Sequence, residues 1–155
     1  MVKVLFVCLG NICRSPMAEA VFRHKVNEAN LSEKITVDSA GTASWHEGKQ
    51  PHEGTREKLD EVVISYENQV ARQLKQDDFE QFNYVIVMDE SNLNDVKDRF
   101  SISDNVVVEK LLFYHKNSDV TDVPDPYYTG NFDVTYELVD VATEQLLNVI
   151  IEEHL

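Results

Sequence analysis

Four apolar runs punctuate the chain. Residues 2–7 are hydrophobic except for Lys3. Residues 35–39 follow, then Tyr84-Val85-Ile86-Val87-Met88, then Val106-Val107-Val108. Each has the length of a strand. The third run lacks polar alternation, which predicts a strand buried on both faces of a parallel sheet. Between the runs the period changes. Residues 16–29 place Met17, Ala20 and Val21 at helical spacing, with Phe22 and Val26 beside them. Residues 90–99 read as a helix after the third strand. Residues 133–153 carry Val139, Ala142, Leu146 and Ile150 along one stripe. Strands alternating with helices predict an α/β fold, a parallel sheet with helices on both faces. Residues 41–54, with Pro51 and scattered polar positions, read as a long loop or short helical pieces. Residues 59–75 are ambiguous, and Val62-Val63-Ile64 reads as a candidate short edge strand.

The first strand runs directly into Cys8-Leu9-Gly10-Asn11-Ile12-Cys13-Arg14-Ser15, with a helix expected from about Ser15-Pro16. Pro16 suits a first helical turn, where a missing N–H costs nothing. Cys8 therefore sits at the carboxyl end of a strand and next to a helix N-terminus, where open α/β sheets bind ligands. Gly10 and Asn11 are the residue types most tolerant of left-handed backbone, so the loop can curl its N–H groups inward around a tetrahedral anion. The helix adds partial positive charge, and Arg14 offers a planar fork to two phosphate oxygens. The same field favours a thiolate on Cys8, poised as an in-line nucleophile. A lone cysteine after a buried strand is ordinarily a small core residue. The Gly-Asn turn, Arg-Ser, proline and helix together shift that balance toward chemistry.

Composition narrows the setting. The 155 residues are 43% hydrophobic and 27% charged, which fits one soluble globular domain spanning 1–155. The formal net charge of −14 argues against nucleic acid and anionic lipid as partners. It leaves room for a phosphorylated substrate, because the first 25 residues carry Lys3, Arg14, Arg23 and Lys25 against the single acid Glu19. The two cysteines, Cys8 and Cys13, are too few for a disulfide framework. No run has the length of a signal-peptide core or a membrane span. A reducing, cytoplasmic location is expected.

A phosphomonoester also needs an acid for its leaving oxygen. The best candidate lies in Asp122-Val123-Pro124-Asp125-Pro126-Tyr127-Tyr128, where two prolines bracket and stiffen Asp125. Asp119 and Asp122 compete without that bracket. Trp45, Tyr127 and Tyr128 are candidates to sandwich an aromatic ring at the pocket mouth, or else to pin loops to the core. The Walker lysine loop, the three-glycine dinucleotide fingerprint and the Gly-x-Ser-x-Gly elbow are absent. His24, His46, His52, His115 and His154 lack metal-ligand spacing with the cysteines and read mostly as solvated surface residues. Neither metal nor cofactor is expected.

The run Val7-Cys8-Leu9-Gly10-Asn11-Ile12-Cys13-Arg14-Ser15-Pro16-Met17-Ala18-Glu19 resembles the signature of the low-molecular-weight protein tyrosine phosphatases. Asp125-Pro126-Tyr127-Tyr128 resembles their general-acid loop. Asp38-Ser39-Ala40-Gly41-Thr42 and Met88-Asp89-Glu90-Ser91-Asn92 resemble further family blocks, so the likeness covers nearly the whole chain. It implies a four-stranded parallel sheet, with Cys8 as nucleophile, Arg14 as phosphate clamp and Asp125 as general acid. Leu9, Gly10, Asn11, Ile12, Cys13 and Ser15 would complete the phosphate loop, with Ser15 bonding the Cys8 sulfur. Asn11 would hold the loop's shape with support from Ser39, while Trp45, Tyr127 and Tyr128 line the entrance. The resemblance also implies a reversible Cys8–Cys13 disulfide that protects Cys8 from over-oxidation. Family members are phosphorylated on tyrosines matching Tyr127 and Tyr128, which admits a tyrosine kinase as a partner. One departure is Gln69, standing before Val70-Ala71-Arg72-Gln73 where some relatives carry a histidine that supports the loop. An amide can hydrogen-bond there but does not titrate near neutrality.

The expected function is hydrolysis of phosphotyrosine and small aryl phosphates through a phosphocysteine. A thiol-coupled arsenate reductase on the same fold is an alternative, but such cascades need further cysteines downstream, and none follows Cys13. A non-catalytic phosphotyrosine-binding module is another, disfavoured by the intact trio of Cys8, Arg14 and Asp125.

Overall fold

A computed structural model describes residues 1–155. Four strands form one parallel sheet in the order β2-β1-β3-β4: β1 (Val2–Cys8), β2 (Ile35–Gly41), β3 (Tyr84–Val87) and β4 (Val107–Lys110). The connecting helices are α1 (Arg14–Glu28), α2 (Glu53–Glu61), α3 (Asp78–Gln81), α4 (Glu90–Arg99), α5 (Pro126–Thr129) and α6 (Phe132–His154), with a 3-10 turn at Leu111–Tyr114. No helix is long and apolar enough to cross a membrane.

The period of two along β1 sorts its side chains between two cores. Val4, Phe6 and Cys8 join the larger cluster, with Met17, Val21 and Phe22 of α1 and Val139, Leu146 and Ile150 of α6. Leu5 and Val7 face the other way, against Phe79, Val85, Val87 and Val96. All four residues of β3 are buried, as expected from its unbroken apolar run. β4 is one of the two edge strands, and its residues are half-buried or exposed. The strand order reverses at β1, whose neighbours β2 and β3 are reached by connections leading to opposite sides. The carboxyl ends of β1 and β3 thus form the switch point where a doubly wound sheet leaves a crevice.

The candidate strand at Val62-Val63-Ile64 does not form. Val62 caps the C-terminus of α2. Val63 takes a left-handed φ of 58°, its N–H bonds the Asp60 carbonyl, and the Ile64 N–H reaches back to the Leu59 carbonyl. This is the hydrogen-bonding of a helix stop, which returns Ile64 to the core. The β-branched run suggested a strand, but the helix terminus needs a reversal there. A β-branched side chain is strained at positive φ, and this one is 84% exposed, so little packing holds it. Val63→Gly should stabilise the fold by about 0.5–1 kcal/mol, measured as a rise in the urea midpoint at constant m-value. The 41–54 segment is likewise resolved: β2 runs through Gly41, a loop follows, and α2 begins at Glu53.

Candidate active site

β1 ends at Cys8 and α1 begins at Arg14, so residues 9–13 must turn the chain between a buried strand and a buried helix. Asn11 makes the turn, with φ 57°. Gly10 is not left-handed. Its missing side chain makes room instead: a Cβ there would lie 3.0 Å from the His46 ring. A Cβ on Gly41 would lie 2.9 Å from the Leu9 carbonyl oxygen, so the end of β2 also needs glycine for the loop to pass.

Neighbouring segments hold the loop's carbonyls outward. The Cys8 and Leu9 carbonyls accept from Thr42 N–H and Ala43 N–H at 2.9 and 3.0 Å, and the Ile12 carbonyl accepts from His52 N–H at 2.7 Å. Thr55 Oγ1 donates to the Cys13 carbonyl at 3.1 Å. The N–H groups of residues 9–13, by contrast, donate to no group of the protein. A row of uncommitted N–H donors at the start of a helix is a ready anion cradle.

Behind the loop runs a chain of side-chain hydrogen bonds. Cys8 Sγ lies 3.0 Å from Ser15 Oγ. Asn11 Nδ2 donates to Ser15 Oγ at 2.8 Å and to Ser39 Oγ at 2.9 Å, while Asn11 Oδ1 accepts from the Arg72 backbone N–H at 3.0 Å. Gln69 sits elsewhere: its Nε2 donates to the Pro16 carbonyl at 3.1 Å, so it braces the first turn of α1 and makes no hydrogen bond to Asn11 or Ser39.

Arg14 is 2% exposed and its guanidinium is gripped from behind. Nη1 donates to Asp89 Oδ2 at 2.6 Å and to the Val123 carbonyl at 2.9 Å, and Nη2 donates to Asp125 Oδ2 at 3.4 Å. Nε is buried without a protein partner. Burial works against the charge, but the Cys8 sulfur, Asp89 and Asp125 more than offset it and hold the pKa above the ordinary arginine value. Cys13 is different. Its thiol is pushed up to about 12, first by burial and then by the negative potential of Cys8 and Asp125, so it stays protonated at neutral pH. Both cysteines are free thiols.

Asp125 caps the short helix α5. Its Oδ1 accepts from the Tyr127 N–H at 3.1 Å, and Pro126 occupies the first helical position. Asp122 is used otherwise, accepting from the Glu90 N–H and from Lys110 Nζ, both at 3.1 Å. Asp119 is exposed. Only Asp125 of the three lines the cavity of about 230 Å³ above Cys8. Leu9, Gly10, Ile12, Cys13 and Arg14 form its floor and walls, with Trp45, Tyr127 and Tyr128 at its mouth. The three aromatics are more than half exposed, with Tyr127 set edge-on against Tyr128.

Two contributors were not assigned a role from sequence. His46, expected as a solvated residue, is half-buried in the cavity wall beside Gly10. Its place depends on the loop crossing from β2 toward α2, which leaves no local pattern. Asp89 lies in the Met88–Asn92 segment, but its contact with Arg14 spans 75 positions. It does two jobs, because its Oδ1 also caps α4 by accepting from the Asn92 N–H at 2.8 Å. Asparagine preserves the cap and loses the charge. Asp89→Asn should therefore lower kcat/KM for an aryl phosphate by about 10–100-fold, the worth of a charge-assisted hydrogen bond, and should also lower the urea midpoint, because the buried Arg14 charge loses a partner.

Comparison with known proteins agrees with this geometry. Residues 3–155 match the family described as low molecular weight phosphotyrosine protein phosphatase. The chain is 47% identical to the low molecular weight protein-tyrosine-phosphatase YfkJ of Bacillus subtilis, over 99% of this chain and 98% of that one. It is 43% identical to the protein-tyrosine-phosphatase PtpA of Staphylococcus saprophyticus, over 99% and 96%. The crystal structure of YfkJ superposes with a TM-score of 0.97 at 46% identity, covering 100% of this chain and 98% of that one. A protein tyrosine phosphatase from Entamoeba histolytica, with Hepes in its active site, gives 0.93 at 35% identity with full coverage of both chains.

Proposed function

Since the chain belongs to the low molecular weight phosphotyrosine protein phosphatase family and is a phosphatase, we propose that it hydrolyses phosphotyrosine and small aryl phosphates through a phosphocysteine on Cys8. The observation that carries this reading is the convergence of Cys8, Arg14 and Asp125 on one cavity floored by uncommitted N–H groups. The loop N–H groups and Arg14 hold the equatorial oxygens of the phosphoryl group. Cys8 Sγ attacks phosphorus in line, the P–O bond to the ring breaks, and Asp125 delivers its proton to the leaving oxygen. In the second step Asp125 takes a proton from water, the water oxygen bonds phosphorus, and the S–P electron pair returns to sulfur. Ser15 stabilises that sulfur in both steps, and Ser39 supports Asn11. Trp45, Tyr127 and Tyr128 sandwich the aryl ring.

One domain spanning 1–155 carries the activity. A reducing cytoplasmic setting suits a nucleophile that must remain a thiol. The Cys8–Cys13 disulfide belongs to the same reading, as a reversible guard. Exposed Tyr127 and Tyr128 are accessible to a kinase. No cysteine follows Cys13 to carry a disulfide onward, which weighs against arsenate reduction. The deciding measurement is an acid quench during turnover of a radiolabelled aryl phosphate. Label on the Cys8 peptide is expected; label only on a histidine or aspartate peptide, or none, rejects the phosphocysteine route.

A further inference from the structure

We infer that Glu19 is a positioning residue that sets the direction of the hydrogen-bond chain ending on the Cys8 sulfur. The inference rests on the phosphocysteine reading above. Glu19, in the second turn of α1, is 6% exposed. Its Oε1 accepts from Ser39 Oγ at 2.6 Å, and its Oε2 accepts from Arg23 Nη2 at 2.6 Å. Arg23 is anchored in turn on the Val37 carbonyl at 2.8 Å. Beyond this pair, His24, Asp38 and Glu67 share the outer cleft that Glu19 lines.

The argument counts protons. A serine hydroxyl has one, and a carboxylate has none. Ser39 gives its proton to Glu19, so toward Asn11 its oxygen can only accept. The Asn11 amide must then present Nδ2, and the Arg72 N–H on Oδ1 prevents the opposite orientation. The second Nδ2 proton goes to Ser15 Oγ. Having accepted there, Ser15 directs its own proton at the sulfur 3.0 Å away. Four hydrogen bonds from the reacting atom, the carboxylate and the Arg72 N–H together set the chain so that Cys8 receives a hydrogen bond. That bond matters most when sulfur carries negative charge, before attack and again as the S–P bond breaks.

Glu19→Gln tests the direction. Arg23 demands an acceptor on its side, so the new amide turns its NH₂ toward Ser39, whose oxygen then faces two donors while its proton loses its acceptor. We expect kcat for p-nitrophenyl phosphate to fall about 10–100-fold with KM little changed, and the pre-steady-state burst of nitrophenol to become more pronounced as dephosphorylation slows. Adding Arg23→Met frees the amide to turn its carbonyl to Ser39, and most of the lost kcat should return. Ser39→Ala should reproduce the loss, and Glu19→Gln on top of it should add little. Native kcat in Glu19→Gln, a loss that Arg23→Met leaves unrelieved, or full additivity with Ser39→Ala each overturns the inference. Should Glu19→Gln not fold, Ser39→Ala decides: an unchanged kcat there overturns it as well. Failure of the phosphocysteine reading would show in the native chain, as no label on Cys8. Failure of this inference leaves that native intermediate intact.

Discussion

Cys8→Ser should reduce aryl phosphate turnover by about four orders of magnitude or more, the scale seen when a covalent nucleophile is removed, while the protein still binds phosphate. The substitution is small. Cys8 is 3% exposed at the end of β1, and serine fits the space with slightly less volume. The loop N–H groups, Arg14 and the Asn11 relay remain in place. What disappears is the sulfur: a serine hydroxyl is a far weaker nucleophile than a cysteine thiol, and no general base lies within hydrogen-bonding distance of this atom. Its one side-chain hydrogen-bond partner is Ser15 Oγ at 3.0 Å. Chemistry is lost while binding survives. The check pairs steady-state kinetics with competitive binding of inorganic phosphate. Turnover by Cys8→Ser at the native rate would place the nucleophile elsewhere.

Asp125→Ala should lose about 10²–10⁴-fold on phosphotyrosine, the usual worth of a positioned general acid, and much less on an aryl phosphate with an acidic leaving group. Its carboxylate accepts from the Tyr127 N–H and, at 3.4 Å, from Arg14. The second contact is long, and the guanidinium is already held from behind by Asp89 and Val123. A phosphoryl group arriving in the loop would claim Arg14 and leave the Asp125 carboxyl free to face the leaving oxygen. The capping bond to Tyr127 keeps the side chain at the cavity wall meanwhile. A plot of log kcat/KM against leaving-group pKa separates the roles. The variant's line should fall more steeply than the native one, and parallel lines would remove Asp125 from proton transfer.

Much of this was legible in the chain. The unbroken apolar run of β3 declared a strand buried on both faces, and the stripe through Val139, Ala142, Leu146 and Ile150 declared the face α6 buries. The cradle was legible because its parts are contiguous: strand end, turn, arginine and helix start lie within eight residues. Asp125 was legible through its prolines. Where local pattern and tertiary need diverged, reading failed. Val62-Val63-Ile64 has strand composition and forms a helix stop, because Ile64 must return to the core. Gly10 looked like a residue chosen for left-handed backbone, yet Asn11 takes that conformation and Gly10 clears space for His46.

By itself, the sequence determined the alternation of strands and helices, the loop from Cys8 to Arg14, and the proline-bracketed segment around Asp125, because each is encoded by neighbours along the chain. Only the tertiary structure decided how the loop is held and aimed. Asp89 meets Arg14 across 75 positions, Ser39 meets Asn11 across 28, and Glu19 meets Ser39 across 20. Such contacts leave no periodic trace. They arise where β1, β2 and β3 end side by side at the reversal of strand order, and parallel pairing brings distant segments to one edge. The direction of the protons in that network follows from which side chains meet, and packing alone brings them together.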